Sequence, residues 1–82
     1  MSYGVLYHPE VLASDIPRIN VNIQRILARA VERRLKVAPE SYGKPLSGNL
    51  AGYWKLRVGD FRIVFKVVRD EIWIYGISGR FF

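Results

Sequence analysis

The sequence lacks cysteine and has a single histidine, His8, among its 82 residues. The absence of cysteine excludes a disulfide scaffold and a thiolate zinc site, and one histidine does not make a metal site by itself. The start of the chain lacks the basic segment and apolar stretch of a signal peptide, and no segment approaches the ~20 apolar residues of a membrane span. We therefore expect a cytoplasmic protein with no metal, no cofactor and no membrane span.

Acidic side chains are also few. Thirteen Lys and Arg residues stand against seven Asp and Glu residues, which gives a net charge of +6 and a pI near 10.1. This excess indicates an anionic partner, and composition alone leaves RNA, DNA, an acidic protein and a membrane surface open. Half of the residues are hydrophobic. We therefore expect residues 1–82 to form a single domain around one thin core.

The first residues predict a strand followed by a short helix. The run 3–7 is β-rich and stops at His8, which we expect to be a strand-end residue without a catalytic role. Proline suits the first position of a helix, so a helix is expected from Pro9 to about Ile16. Pro17 should end that helix.

A longer helix is predicted from about Ile19, because apolar residues then recur at helical spacing. Its apolar side consists of Ile23, Ile26, Leu27, Ala30, Val31 and Leu35. Its other side is mostly charged and consists of Gln24, Arg25, Arg29, Glu32, Arg33 and Arg34. The segment from Pro39 to Gly52 is rich in Gly, Pro, Ser and Asn, and we expect it to be a surface loop.

After Gly52 the period of the sequence changes to two, which is typical of strands. Three strands are expected, over residues 53–58, Phe61–Val68 and Ile72–Ile77, with Gly59 and Asp60 as a two-residue turn. The order is then β-α-α-β-β-β. It predicts an α+β domain in which two N-terminal helices pack on a largely antiparallel four-stranded sheet.

The two-residue turn fixes the register of the first hairpin. One face then collects the apolar residues Trp54, Leu56, Val58, Phe61, Ile63 and Phe65, and the opposite face carries Tyr53, Lys55, Arg57, Arg62 and Lys66. Arg57 faces Arg62, and such a like-charge pair is unfavourable by ~0.2–1 kcal/mol. A bound anion would relieve the repulsion. The alternative is a solvated cationic face, kept for solubility or paired with carboxylates from loops.

The last strand should add aromatic side chains to the cationic face. If the second hairpin keeps the same parity, Trp73, Tyr75 and Ile77 lie beside the cations. Exposed rings next to cations suit base stacking or the apolar surface of a protein partner. For Trp73 and Tyr75 we favour binding of a protein partner over base stacking and over burial beneath the chain's own terminus.

The central segment from Tyr42 to Phe65, with the sequence YGKPLSGNLAGYWKLRVGDFRIVF, resembles the signature of the RelE/ParE superfamily of toxins from type II toxin–antitoxin systems. The ending from Ile77 to Arg80 resembles the last strand of that family. The resemblance spans nearly the whole chain. It implies a toxin of RelE type that inhibits translation as an endoribonuclease. Such toxins cut messenger RNA in the ribosome without a metal, when a 2′-hydroxyl attacks its own phosphate.

The resemblance also implies residue roles. Lys55 matches a lysine at the nucleophile or phosphate, Arg57 a supporting cation, Arg62 the arginine on the scissile phosphate, and Arg80 an arginine near the leaving oxygen. The expected partners are a cognate acidic antitoxin, messenger RNA and the ribosome. The residues expected to bind RNA are Tyr53, Lys66, Arg29 and Arg33, and those expected to bind the protein partner are Trp73 and Tyr75.

The sequence departs from the family at its end. Gly79 stands where histidine is common, and the tyrosine or histidine that often follows the last strand is missing. Either Tyr53 or Tyr75 then supplies acid–base help, or the chain is a weak nuclease, or it acts in another way. The ParE branch shares the central motif and inhibits DNA gyrase, and a noncatalytic module that binds an antitoxin is a third alternative.

Overall fold

The computed structural model describes residues 2–79. One sheet of five strands has the spatial order β1-β5-β4-β3-β2. The strands are β1 (Gly4–Tyr7), β2 (Lys44–Pro45), β3 (Trp54–Val58), β4 (Phe61–Val68) and β5 (Glu71–Gly79). β1 is parallel to β5, and the other neighbouring strands are antiparallel. The α+β class and the largely antiparallel sheet are therefore confirmed.

The expected count of four strands is wrong, because β2 lies inside the predicted loop. Lys44 pairs with Lys55, and Pro45 pairs with Trp54. Proline is accepted at the edge of a sheet, where its missing N–H is not needed by a further strand. The loop contains two more short elements, α2 (Pro39–Tyr42) and a 3₁₀ turn (Gly48–Leu50).

The first helical segment is longer than expected. It starts at Pro9 and continues as a π-helical turn (Val11–Asp15) and a 3₁₀ turn (Ile16–Arg18). Pro17 does not end it at Ile16, because proline occupies an early position of the 3₁₀ turn, where a missing N–H is tolerated.

The long helix begins two residues later than expected. Helix α1 (Val21–Ala30) follows Asn20, whose Oδ1 accepts a hydrogen bond from the Asn22 N–H at 2.8 Å. This side-chain cap sets the start of the helix. The helix continues as a π-helical segment (Val31–Leu35). Within residues 2–79 no helix is long and apolar enough to cross a membrane.

The core lies between the helices and one face of the sheet. The predicted register of the first hairpin is confirmed pair for pair, from Trp54 opposite Phe65 to Val58 opposite Phe61. The buried residues common to the prediction and the structure are Leu27, Ala30, Val31, Leu35, Leu56, Ile63 and Phe65. Ile26, expected on the apolar face of the helix, is instead 53% exposed.

A bulge in β5 changes the parity of the second hairpin. Val64 pairs with Gly76 but Phe65 pairs with Ile74, so Tyr75 is an extra residue. An extra residue moves the side chains beyond it to the other face. Ile77 is therefore buried in the core, and its expected place beside the cations is wrong. Trp73 precedes the bulge and pairs with Lys66, which places it on the cationic face as expected.

Candidate nucleic-acid interface

The face of the sheet opposite the core, called the outer face below, brings the predicted cations together. Residues paired directly across antiparallel strands share a face, so Lys44 joins Lys55, and Arg57 joins Arg62. Ser78 pairs with Arg62 on its other side. Lys44, Arg57 and Arg62 are exposed, and Lys55 is partly buried. β2, β3 and β4 thus present two adjacent like-charge pairs.

A cleft of about 380 Å³ lies at the arginine pair and is lined by Arg57, Asp60, Phe61, Arg62, Ser78 and Gly79. We call it the arginine cleft. Asp60 brings a carboxylate to the cleft, but the single ion pair within residues 2–79 joins Lys36 to Glu32 at 3.2 Å. The positive charges of Arg57 and Arg62 are therefore not neutralised by any carboxylate in the described part of the chain. Such a cleft favours an anion.

The other end of the outer face carries an aromatic cluster centred on Tyr75. The Tyr75 ring lies 5.3 Å from the Tyr53 ring in an edge-on arrangement, 5.7 Å from the His8 ring and 6.5 Å from the Trp73 ring. The Lys66 Nζ lies 4.9 Å from the centre of the Tyr53 ring. Because Tyr75 is 36% exposed, this cluster offers an accessible aromatic surface beside cations. The combination is typical of single-stranded nucleic-acid binding.

His8 belongs to this cluster, although its expected role was only that of a strand-end residue. It continues β1, and its N–H donates to the Ile74 carbonyl at 2.9 Å. Its Nδ1 accepts from the Glu10 N–H at 3.2 Å. Alternation along the strand predicts that the His8 side chain lies on the outer face. The parallel pairing of β1 with β5, which brings His8 to Tyr75, cannot be predicted from any short segment of the sequence.

Several solved structures with a similar fold belong to toxin–antitoxin systems. The toxin–antitoxin complex RelBE2 from Mycobacterium tuberculosis matches with a TM-score of 0.91 at 22% identity, over 98% of this chain and 100% of that chain. A mutant of the E. coli toxin RelE, bound to an antitoxin peptide, matches with a TM-score of 0.73 at 17% identity, over 96% and 84% of the two chains. The protein has a RelE-like fold. No protein-family profile and no curated protein sequence matches it.

A third relative with the RelE-like fold comes from an archaeon. The RelE–RelB complex from Pyrococcus horikoshii matches with a TM-score of 0.61 at 23% identity, over 98% of this chain and 97% of that chain. All three likenesses are below 25% identity, and they establish the architecture of the chain. The chemistry has to be argued from the outer face itself.

The RelE-like fold brings most of the predicted site residues to one face. Lys55, Arg57, Arg62, Tyr53, Lys66, Trp73 and Tyr75 all lie on the outer face. Arg29 and Arg33 lie apart from it, in a cleft of about 180 Å³ between α1 and Val58 of β3. Arg80 lies outside the described residues. Sequence reasoning missed Lys44, which was assigned to a loop, and Ser78, whose face depends on the bulge.

Gly79 lies at a position where the neighbouring Phe61 ring leaves no room for a side chain. A Cβ atom at residue 79 would lie 2.5 Å from Cε1 and 2.7 Å from Cδ1 of Phe61. No Cβ atom fits at such distances, so a side chain here requires the Phe61 ring to move. Phe61 also lines the arginine cleft. The glycine therefore helps to set the shape of that cleft.

Proposed function

We propose that this chain is the toxin of a toxin–antitoxin pair and that it is an endoribonuclease acting on messenger RNA at the ribosome. The observation that carries the proposal is the unneutralised pair Arg57 and Arg62, which lies on the same face as the Tyr53 and Tyr75 rings. The RelE-like fold, present in toxins solved with their antitoxins, supports the same assignment.

The proposed reaction is an internal transesterification. The 2′-hydroxyl of the nucleotide loses its proton and its oxygen attacks the adjacent phosphorus. The bond to the 5′-oxygen of the next nucleotide breaks, that oxygen takes up a proton, and a 2′,3′-cyclic phosphate forms. Negative charge accumulates on the phosphoryl oxygens in the transition state, and preorganised cations stabilise it. In this scheme Arg62 contacts the phosphoryl oxygens, Arg57 supports it, and Lys55 lies at the nucleophile. Arg80 belongs to the same scheme at the leaving oxygen.

The aromatic cluster supports single-stranded RNA as the substrate class in this proposal. The unpaired bases of a single strand can stack on exposed aromatic rings, and each such contact contributes ~1–3 kcal/mol to binding. Tyr75 and Tyr53 would hold a base, and Lys66, beside the Tyr53 ring, would contact the adjoining backbone. A stacked base next to a bound phosphate also limits the motion of the ribose, which helps to hold the 2′-oxygen in line.

An acidic antitoxin is the proposed inhibitor. With a net charge of +6, the toxin attracts an acidic chain in a salt-dependent manner. We propose that an acidic amphipathic segment covers the cationic outer face near Trp73 and Tyr75. Complex formation would then block RNA, and rising salt would weaken it. A neutralising complex that leaves Lys55, Arg57 and Arg62 open to solvent would contradict direct occlusion.

Primer extension on messenger RNA after induction of the chain in cells tests the proposed function. The expected result is new 5′ ends within translated codons, which disappear when Arg62→Ala replaces the parent. The matched control is Arg18→Ala, which removes one exposed positive charge from the helical side and leaves the outer face unchanged. Growth arrest with intact messenger RNA and inhibited gyrase supercoiling would instead establish the ParE-like alternative. Growth without arrest, with antitoxin binding intact, would establish the noncatalytic one.

A further inference from the structure

A second cleft lies where the outer face meets the edge of the sheet. Its volume is about 350 Å³, and it is lined by Arg34, Tyr42, Lys44, Lys55, Leu56 and Arg57. We call it the edge cleft. Four of its six lining residues are cations and none is acidic, whereas the arginine cleft includes the carboxylate of Asp60. The edge cleft is thus the more strongly cationic of the two.

The short length of β2 creates the edge cleft. β2 pairs only with Lys55 and Trp54, so from Leu56 onward β3 has no strand beside it on the edge opposite β4. The helical side fills part of this gap, with Tyr42 at the end of α2 and Arg34 in the π-helical segment. The Tyr42 side chain is 52% exposed, and its hydroxyl can donate to an anion.

The positive charges in this cleft oppose one another. Lys44 faces Lys55 directly across β2 and β3, and like charges at such positions destabilise the pair. Within residues 2–79 neither lysine forms an ion pair, and the same is true of Arg34 and Arg57. A chain that keeps four uncompensated cations around one cleft gains stability when an anion enters it.

The clefts form a continuous series because neighbouring clefts share an arginine. Arg57 lines both the arginine cleft and the edge cleft. Arg34 lines both the edge cleft and the small cleft that contains Arg29 and Arg33. A single small anion would need only one of these clefts. A polyanion with a charge at every repeat matches the whole series.

We infer that the edge cleft is a second phosphate subsite for the same single-stranded RNA, which crosses the edge of the sheet from the arginine cleft toward Arg29 and Arg33. The inference rests on the proposed function. Arg34 and Lys44 are the residues that distinguish this subsite, because Lys55 and Arg57 also serve the reacting phosphate. They bind and position the strand, while the bonds that form and break remain in the arginine cleft.

Binding of uncleavable RNA tests the subsite separately from the reaction. The probes are a dinucleotide with one phosphodiester and a longer single-stranded oligonucleotide, both fully 2′-O-methylated so that no 2′-hydroxyl can attack. Affinities are measured over a range of salt concentrations for the parent, for Arg34→Ala combined with Lys44→Ala, and for Tyr42→Phe. Arg18→Ala is the matched loss of charge outside the clefts. A single cooperative unfolding transition shows that each variant is folded.

The double variant should bind the dinucleotide as the parent does and the longer RNA about tenfold more weakly at low salt. Its slope of log affinity against log salt should be smaller by about 0.7, the value for one lost phosphate contact on a single strand. Tyr42→Phe should weaken only the longer RNA, and Arg18→Ala should change neither probe by more than about twofold.

Several results would overturn the inference. Parent affinity and parent slope in the double variant would show that RNA does not cross the edge cleft, and the proposed function would stand if Arg62→Ala still lost cleavage. Weaker antitoxin binding with unchanged RNA binding would assign the cleft to protein carboxylates instead. A folded parent that binds neither probe, on or off the ribosome, would overturn both the subsite and the proposed function.

Discussion

Arg57 lies directly opposite Arg62 across β3 and β4, and Ser78 flanks Arg62 on its other side. Two cations in this arrangement repel each other by ~0.2–1 kcal/mol, and within residues 2–79 no carboxylate pairs with either. Local conflicts of this kind tend to occur at functional sites. A phosphate placed between the two guanidinium groups is attracted by both of them and relieves their repulsion.

Replacing Arg62 should therefore separate activity from stability. In Arg62→Ala we expect cleavage to fall by about two to three decades, by analogy with the loss of one oxyanion-hole donor. We expect the free energy of unfolding to stay constant or rise slightly, because Arg57 loses its repulsive neighbour. The measurements are single-turnover cleavage on programmed ribosomes and the midpoint of denaturant unfolding.

Arg18→Ala provides the control for Arg62→Ala, because it removes the same charge from an exposed position on the helical side. It should cleave at nearly the parent rate. An Arg62→Ala variant that cuts as fast as the parent would remove Arg62 from the proposed mechanism. A large loss of stability in Arg62→Ala would show instead that the arginine pair supports the fold.

Short-range signals in the sequence predict one part of the fold, the hairpin of β3 and β4. Gly59 has a φ of +60°, so the predicted two-residue turn forms, and the turn fixes the register of the two strands. That register is enough to place Lys55, Arg57 and Arg62 on one face. Alternation of apolar and polar residues predicts the matching core, from Leu56 to Phe65.

Phe65 is the residue on which this core depends most. It is fully buried, and truncation to Ala should lower the free energy of unfolding by about 3–5 kcal/mol. Leu12→Ala is the control at an exposed position and should change the free energy by less than about 0.5 kcal/mol. Denaturant titration followed by tryptophan fluorescence measures both. An unfolding midpoint that barely moves in Phe65→Ala would contradict the central place of this ring.

Other features depend on contacts that no local pattern records. Val64 pairs with Gly76 and Phe65 pairs with Ile74, so Tyr75 forms a bulge between them. The bulge determines on which face of the sheet Ile77 lies. Past the bulge the Asp15 Oδ2 accepts a hydrogen bond from the Ile77 N–H at 2.9 Å, a contact between residues 62 positions apart. The edge strand β2 at Lys44 likewise depends on its pairing with β3, which the sequence around Lys44 does not indicate.

Tyr7 should make stability fall at alkaline pH. Burial, and to a lesser degree the negative charge of Glu32, raises the pKa of Tyr7 above its ordinary value of 10.0. The neutral phenol is therefore favoured in the folded state, and its contribution is complete below about pH 10. Above that pH the unfolded chain loses the proton first, so the free energy of unfolding falls as pH rises toward the pKa of the folded state.

Comparison of Tyr7→Phe with the parent isolates this effect, because the other titrating groups are common to both proteins. The difference in free energy of unfolding, parent minus variant, should be constant up to about pH 10 and should decrease above it. A flat difference for Tyr7→Phe would show that its phenol is solvated in the folded protein.

Tyr75 offers a test of what the aromatic cluster contributes to the reaction. Its ring contacts those of Tyr53, His8 and Trp73. Tyr75→Ala removes the ring and Tyr75→Phe removes only the hydroxyl. If stacking is the role, binding of uncleavable RNA should weaken by ~1–3 kcal/mol in Tyr75→Ala and stay at the parent level in Tyr75→Phe.

The contact of the Tyr75 ring with the Tyr53 ring beside Lys66 favours base stacking over the protein-binding role expected from the sequence. We therefore expect Tyr75→Phe to cleave RNA at nearly the parent rate in single-turnover assays. A Tyr75→Phe variant that binds normally but cleaves about two or more decades more slowly would assign proton transfer to the hydroxyl. The substitutions Tyr53→Ala and Tyr53→Phe, at the ring that also contacts Lys66, show whether Tyr53 supplies the stacking or the proton transfer instead of Tyr75. Normal binding and cleavage in both alanine variants would exclude the aromatic cluster from RNA recognition and leave the cations of β3 and β4 as the whole of the site.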